Sequence, residues 1–150
     1  MYSVAKMKLV RKNIEKNRSV YLDKDHYIKV WGNVTPKWIS DHVLVLNELV
    51  PGYVADYGGN WISFNIVQGT PASEYPHTPE FVERIYKFCL TQIESTAPWY
   101  HGDWTLSNMI INGDTITMID WDNVGQYNQK EVMEKLHSDL KSAFGNLYVF

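Results

Sequence analysis

The chain has 150 residues, which suffices for one compact domain or two small lobes with a hydrophobic core. Its residues are 45% hydrophobic, yet no apolar run approaches the roughly 18 that cross a bilayer, and its first residues lack a signal-peptide core. The single cysteine, Cys89, excludes an internal disulfide, so the composition predicts a soluble cytoplasmic protein without a membrane partner.

Charge is divided unevenly along the chain, although the formal net charge is only −3. Residues 1–37 hold nine of the 14 Lys and Arg but three of the 17 Asp and Glu, whereas the remainder holds five and 14. A solvated basic face explains this asymmetry, and so does an anionic nucleotide held between a basic and an acidic lobe. Nucleic acid is a disfavoured partner, because no recognised nucleic-acid motif accompanies the modest basic excess.

The first third of the chain predicts three antiparallel strands and a helix. Apolar residues alternate or cluster around turn-forming segments, which places the strands at residues 7–13, 19–23 and 27–31. The helix begins at Thr35-Pro36 and ends at Pro51-Gly52, because a cap and a proline favour its first turn and Pro-Gly stops it. Its apolar stripe, expected to pack on the sheet, is Ile39, Val43, Leu46 and Val50.

A further strand and two more helices follow. Residues 60–67 predict the strand, and Thr78-Pro79-Glu80 begins the second helix. The core stripe of that helix is Phe81, Ile85, Cys89 and Ile93. Asn128 with Glu131 resembles a capping box and predicts a third helix, which continues to about Phe144 before Gly145.

The most informative segment is residues 101–122, HGDWTLSNMIINGDTITMIDWD. It places Asp103, Asn108 and Asp120 at the spacing of a kinase catalytic loop. Between Asn108 and Asp120, two apolar strands flank Asn112-Gly113, a dipeptide favoured in tight hairpin turns. The predicted hairpin brings Asn108 and Asp120 back to one point.

These residue types suit phosphoryl transfer. A transferring phosphoryl group carries several negative oxygens, so metal ions held by carboxylate and amide oxygens must neutralise it. One further carboxylate orients the incoming hydroxyl. Magnesium takes hard oxygen ligands and keeps several waters, so two protein ligands suffice.

The motif resembles the aminoglycoside phosphotransferase and choline kinase branch of the protein-kinase-like superfamily. The resemblance rests on His101-Gly102-Asp103, Asn108 and Ile119-Asp120-Trp121. It implies an α+β, minimal bilobal protein-kinase-like fold, with a small antiparallel N-lobe sheet plus helix and a reduced helical C-lobe containing the catalytic hairpin. The N-lobe would span about 1–67, the linker about 66–71 and the C-lobe about 72–150.

The resemblance also implies roles for the C-lobe residues. Asp103 would be the catalytic base, Asn108 and Asp120 would bind the metal, and Asp122 is a further candidate metal ligand. His101 would be a buried residue that braces the loop. Asp139 lies where family members often carry an Asp that supports the backbone of that loop, although an ordinary helix Asp is the alternative.

In the N-lobe, the resemblance assigns the nucleotide to several segments. Lys29 would bind phosphate, paired with an acid of the following helix, for which Asp41 is the first match and Glu48 the rival. Backbone groups of Ile66, Val67 and Gln68 would bind adenine. The expected glycine-rich lid is replaced by residues 13–19, which contain no glycine, so Lys16 and Arg18 are candidates to supply charge to the phosphates.

The sequence therefore predicts an ATP- and Mg²⁺-dependent phosphotransferase acting on a hydroxyl-bearing, small-molecule acceptor. The alternative is a pseudokinase that binds a nucleotide or a partner without turnover. A metal-dependent phosphoesterase is a third possibility, but it would need more clustered ligands. Because 28 residues follow Asp122, a homodimer or another partner is expected to complete the acceptor site, unless the apolar tail at 147–150 closes the core of its own chain.

Overall fold

A computed structural model of the protein describes residues 8–13 and 17–150. The fold is α+β, with an antiparallel sheet at the N-terminal end and helices after it, as predicted. The chain divides into two compact units, Met1–Ile66 (unit 1) and Val67–Phe150 (unit 2), and the predicted linker at 66–71 spans this division. In the parts of the chain that the structure describes, no helix has both the length and the apolar character needed to cross a membrane.

Unit 1 is a five-stranded antiparallel sheet with one helix. Its elements are β1 (Lys8–Asn13), β2 (Arg18–Leu22), β3 (His26–Trp31), α1 (Pro36–Leu49), β4 (Val54–Tyr57) and β5 (Trp61–Asn65). The strand order is β1-β2-β3-β5-β4, so β3 lies at the centre. Met7 and residues 14–16 lie outside the described residues, but the three predicted N-terminal strands and the helix are confirmed.

Helix α1 forms where its capping residues predict it. The Thr35 side chain accepts a hydrogen bond from the Trp38 backbone N–H at 3.1 Å, which satisfies one of the unpaired donors of the first turn. The helix covers the sheet face that contains Trp31, because the Trp31 and Trp38 rings meet edge to face at 5.4 Å. The buried stripe of α1 consists of Ile39, His42, Val43 and Leu46.

Unit 2 combines two long helices with a small three-stranded sheet. Its elements are β6 (Thr70–Pro71), α2 (Pro79–Thr96), β7 (Met109–Asn112), β8 (Thr115–Met118) and α3 (Gln129–Phe144). Thr78 caps α2 and Asn128 caps α3 through their side chains, at the predicted positions. The predicted stripe of α2 is buried, and burial raises the pKa of the Cys89 thiol, so this side chain is an inert part of the core.

The C-terminal tail packs on the helices of its own unit. Tyr148 is buried, and its hydroxyl lies 2.5 Å from Nδ1 of His137 in α3. The Phe150 ring stacks on Tyr86 of α2 with 4.3 Å between the ring centroids. Tyr148 therefore belongs to the core of unit 2, whereas Leu147, Val149 and Phe150 are exposed. Assembly with a second chain stays a prediction.

Candidate functional site

The β7–β8 hairpin brings Asn108 next to the residue that precedes Asp120. Met109 pairs with Met118, and one step further the Ile119 backbone N–H donates to the Asn108 carbonyl at 2.8 Å. Asn108 is buried at the end of a short 3₁₀ turn, while Asp120 is half-buried. The hairpin therefore brings the backbone of Asn108 to within one residue of Asp120.

The turn of this hairpin lies one residue later than predicted. Asn112 pairs with Thr115, so the two residues of the loop are Gly113 and Asp114 rather than Asn112 and Gly113. Gly113 has a φ of +60°, a conformation that glycine adopts without steric cost. The shift changes neither the strand pairing nor the position of Asn108.

His101 links the loop that contains Asp103 to the strand end that precedes Asp120. The ring is fully buried, and the Asp103 backbone N–H donates to Nδ1 at 3.2 Å. Since Nδ1 accepts this bond, the other nitrogen, Nε2, carries the proton and donates to the Ile119 carbonyl at 2.7 Å. This is the arrangement that the predicted bracing role of His101 requires.

Asp139 supports the same loop from helix α3. Its Oδ2 accepts a hydrogen bond from the Trp104 backbone N–H at 2.9 Å, directly after Asp103. Its Oδ1 accepts one from Lys135 Nζ at 2.8 Å. This hydrogen bond raises the pKa of Lys135, partial burial opposes the shift, and the charges of Asp139 and Asp103 add to it. Sequence reasoning missed Lys135, although its i,i+4 spacing from Asp139 indicated a pair.

Asn108 and Asp120 carry oxygen atoms of the type that magnesium binds. The Nδ2 atom of the Asn108 side chain lies 3.5 Å from the Asp103 carbonyl oxygen, so Oδ1 is the atom that could bind a metal. That Asn108 and Asp120 together bind magnesium stays a prediction. Among the described residues, no three His, Cys, Asp or Glu side chains are grouped so that they could bind a metal ion together. A magnesium site with two protein ligands does not need such a group, whereas the metal-dependent phosphoesterase considered above would need one.

The remaining candidate of this segment, Asp122, follows the buried Trp121. The Trp121 indole N–H donates to the Met118 carbonyl at 3.0 Å, which fixes the turn after Asp120. Asp122 is half-buried two residues beyond Asp120. Its predicted role as a metal ligand stays a prediction.

In unit 1, Lys29 occupies the central strand rather than an edge. It pairs with Ile62 of β5, and its side chain is 6% exposed. Its Nζ lies 5.3 Å from the centroid of the Phe64 ring, within the range of a cation–π interaction. Lysines are rarely buried this deeply. This burial sets Lys29 apart from an ordinary surface lysine of a strand.

The structure corrects the prediction for Asp41. This side chain lies on the exposed face of α1, where it pairs with Lys37 at 2.5 Å, and the rival Glu48 is exposed as well. The buried face carries His42 instead, whose ring stacks on Trp38 with 4.9 Å between the centroids. Burial, with a smaller contribution from the charge of Lys29, lowers the pKa of His42 from 6.5 to about 4.

The predicted lid is only partly described, and Lys16 lies outside the described residues. Arg18 is 3% exposed on β2, so its side chain is buried within unit 1. Asn17 has a φ of +45°, and its carbonyl accepts a hydrogen bond from the Gly32 N–H at 2.7 Å. Asparagine thus adopts here the left-handed conformation expected of a lid glycine.

The three predicted linker residues follow β5 directly. Ile66 and Val67 are half-buried, and Gln68 is exposed. Their predicted contacts with adenine use backbone atoms, so the side chains neither support nor oppose them.

Neither a protein-family model nor a curated protein sequence matches the chain. Among solved structures, a 2.2 Å crystal structure of WbdD is similar, with a TM-score of 0.61 and 13% identity over 88% of this chain and 36% of that one. A crystal structure of monomeric WbdD has a TM-score of 0.56 and 12% identity over 87% of this chain and 38% of that one. The chain thus spans little more than a third of these WbdD chains. This likeness concerns the fold alone, and it agrees with the predicted α+β fold class.

Proposed function

We propose that the chain is an ATP- and magnesium-dependent phosphotransferase that acts on a hydroxyl-bearing, small-molecule acceptor. The observation that supports this most is the imidazole of His101, which is bonded both to the Asp103 backbone and to the residue before Asp120. A base and a metal ligand held by one buried side chain have the fixed geometry that phosphoryl transfer requires. The kinase-like fold shared with WbdD agrees with an enzymatic role.

Each residue has a defined part in this proposal. Asp103 accepts the proton of the acceptor hydroxyl, which increases the nucleophilicity of that oxygen. Asn108 and Asp120 hold the magnesium ion, which supplies positive charge to the phosphate oxygens when bound. Asp139 orients the loop of Asp103, and Lys29 contributes a positive charge for the phosphates.

A pseudokinase is the second candidate, and the position of Asp41 favours it. The acid expected to position Lys29 pairs with Lys37 on the exposed face of α1. Because an acid that pairs with the strand lysine helps to align the phosphates in kinases, an Asp41 that pairs with Lys37 agrees with binding that is not followed by transfer.

A thermal-shift measurement tests nucleotide binding. ATP with magnesium should raise the melting temperature, whereas either alone should do less, because the metal binds through both the phosphates and the protein oxygens. Ligand at 100 times its Kd adds about 2.7 kcal/mol of stability, which corresponds to roughly 5 to 10 °C for a chain of this size. No response to any nucleoside triphosphate would refute both nucleotide-dependent functions.

Three variants separate the roles of the acidic residues. Asp103→Asn should abolish transfer of the terminal phosphate from Mg-ATP to the acceptor while nucleotide affinity stays nearly unchanged, since it removes the proton acceptor without removing a metal ligand. Asp120→Asn should weaken Mg-ATP binding. Asp114→Asn, in the exposed turn of the same hairpin, is the matched control and should change neither. Equal loss of binding in the first two variants would contradict this division of roles.

A further inference from the structure

Helix α1 presents a histidine, and no acid, on the face that it buries. The buried side chains of the helix are Ile39, His42, Val43 and Leu46. Its two acids, Asp41 and Glu48, are both exposed. His42 is therefore the one side chain on the buried face of α1 that can form a hydrogen bond with a charged partner.

The sheet face under α1 contains Lys29. Side chains two residues apart on a strand lie on the same face, so Lys29 shares the face of Trp31. The Trp31 ring meets Trp38 of α1 edge to face at 5.4 Å. One helical turn later, the His42 ring stacks on Trp38 with 4.9 Å between the centroids. Lys29 and His42 thus belong to the same layer, between β3 and α1.

The imidazole of His42 is neutral near pH 7. Burial, and to a smaller extent the charge of Lys29, lowers its pKa from 6.5 to about 4, so Lys29 is close enough to act on the ring. Arg18 adds a second buried cation to this sheet face, because it pairs with Trp31 across β2 and β3. In a neutral imidazole, one nitrogen carries no proton and accepts a hydrogen bond, whereas a lysine ammonium only donates. The two side chains are therefore complementary.

The Nε2 atom of His42 is available for this bond. The side chain is 8% exposed, and Nε2 is buried without a hydrogen-bond partner in the part of the chain that the structure describes. Buried polar atoms nearly always have a partner, so an unsatisfied one requires an explanation. A contact that forms only when a ligand binds provides one, because hydrogen bonds of catalytic groups often tighten only in the complex with substrate.

Resting on the phosphotransferase proposed above, we infer that His42 is the residue of α1 that positions Lys29. When the nucleotide binds, Nε2 accepts one hydrogen bond from the Lys29 ammonium, and the other N–H groups of this ammonium point to the phosphates. Lysine has a flexible four-carbon stem, so this anchor reduces the number of conformations that are lost when phosphate binds. The imidazole adds no negative charge, so the pair retains the positive charge of Lys29, whereas a lysine–acid pair is neutral. The exposed position of Asp41 then does not by itself separate a kinase from a pseudokinase.

Calorimetric titration of the full chain with Mg-ATP tests this inference. His42→Phe keeps a ring against Trp38 but has no acceptor, and it should weaken binding about 10- to 100-fold, the range expected for a hydrogen bond to a charged group. His42→Gln removes the ring but offers an amide oxygen, so it should recover much of this loss. If the ring were merely structural, the order of these two variants would be reversed. Leu44→Gln, at an exposed position of the same helix, is the matched control and should leave binding unchanged.

A double-mutant cycle shows whether His42 acts through Lys29. Lys29→Met removes the ammonium, so His42→Phe should cause no further loss of Mg-ATP binding in that background. Long-range ¹H–¹⁵N spectra of the histidine rings give a second readout that needs no nucleotide. Near pH 7.5, Nδ1 of His42 should carry the proton and Nε2 should not. If His42→Phe does not fold, this protonation state still decides the question.

Three results would each overturn the role of His42 while leaving the phosphotransferase intact. They are a proton on Nε2, additive losses in the double-mutant cycle, and a loss of binding in Asp41→Asn as large as that in His42→Phe. Failure of the unaltered chain to bind Mg-ATP would overturn the phosphotransferase, and with it this role of His42, whatever the protonation of the ring.

Discussion

Unit 1 should lose stability as the pH falls from about 6.5 towards 4, because of His42. Burial and then the charge of Lys29 lower the pKa of this imidazole from 6.5 to about 4 in the folded chain. Between these two values the unfolded chain binds a proton that the folded chain does not. The free energy of unfolding therefore rises with pH in this window, and its contribution from His42 is lost as the pH falls.

The size of this effect follows from the two pKa values. A difference of 6.5 − 4 corresponds to about 3 kcal/mol once the pH is below both values. Near pH 5 the linkage relation gives a loss of about 2 kcal/mol, because the folded imidazole is still largely neutral there. The His42 side chain is only 8% exposed, so solvent screening reduces this value little.

Urea unfolding of the unaltered chain and of His42→Phe, near pH 7.5 and near pH 5, measures the effect. Phenylalanine keeps a ring against Trp38 and cannot be protonated, so the loss on acidification should be about 2 kcal/mol smaller in the variant. Carboxylates that titrate in the same pH range change the stability of both proteins equally, so their effect cancels when the two losses are subtracted. The control is His77→Gln, since His77 is exposed in unit 2. An equal loss of stability in the unaltered chain and in His42→Phe would refute the reasoning.

Three further variants test unit 2 by thermal unfolding. Asp139→Ala removes a charged hydrogen-bond acceptor from the Trp104 N–H and should cost about 1.5 to 3 kcal/mol together with a loss of transfer; unchanged transfer would contradict the supporting role. Tyr148→Phe removes the hydrogen bond to His137, so the free energy of unfolding should fall by about 0.5 to 1.5 kcal/mol and the melting temperature by a few degrees. An unchanged melting temperature would show that this hydrogen bond does not stabilise unit 2. Gly102→Ala should cost about 1 to 3 kcal/mol, because its φ is +87° and a Cβ would lie 2.6 Å from the Asn123 carbonyl; wild-type stability would contradict this geometry.

The helices could be predicted from the sequence because their determinants are local. A capping side chain at Thr35, Thr78 or Asn128 bonds to an N–H three residues away, so the sequence contains both ends of the interaction. The apolar stripes add a period of 3.6 residues over several turns. For the same reason, Asn108 and Asp120 could be brought together from the sequence through one hairpin.

Features without a clear hydrophobic pattern in the sequence were missed. Strand β4 has four residues with mostly exposed side chains, and its pairing with β5 defines it. On α1, Asp41 matches the family acid by its place before Leu44 and Leu46, yet it lies on the exposed face. His42 lies three residues after Ile39 and four before Leu46, so the helical period of the apolar stripe already indicates that His42 is on the buried face.

The backbone of Asp120 indicates that the site is maintained at a cost in stability. Its φ of +60° is uncommon for a residue with a Cβ and costs of order 1 kcal/mol or more, although Asp tolerates it better than most. The residues on either side of Asp120 fix its backbone through hydrogen bonds. The Ile119 N–H donates to the Asn108 carbonyl, and the Ile119 carbonyl accepts from the His101 ring. The Trp121 indole N–H donates to the Met118 carbonyl. Glycine would adopt this conformation without strain, so a position selected for stability alone favours glycine. An Asp at this strained position, one residue after the Ile119 that bonds to Asn108, agrees with the metal-binding role proposed for it.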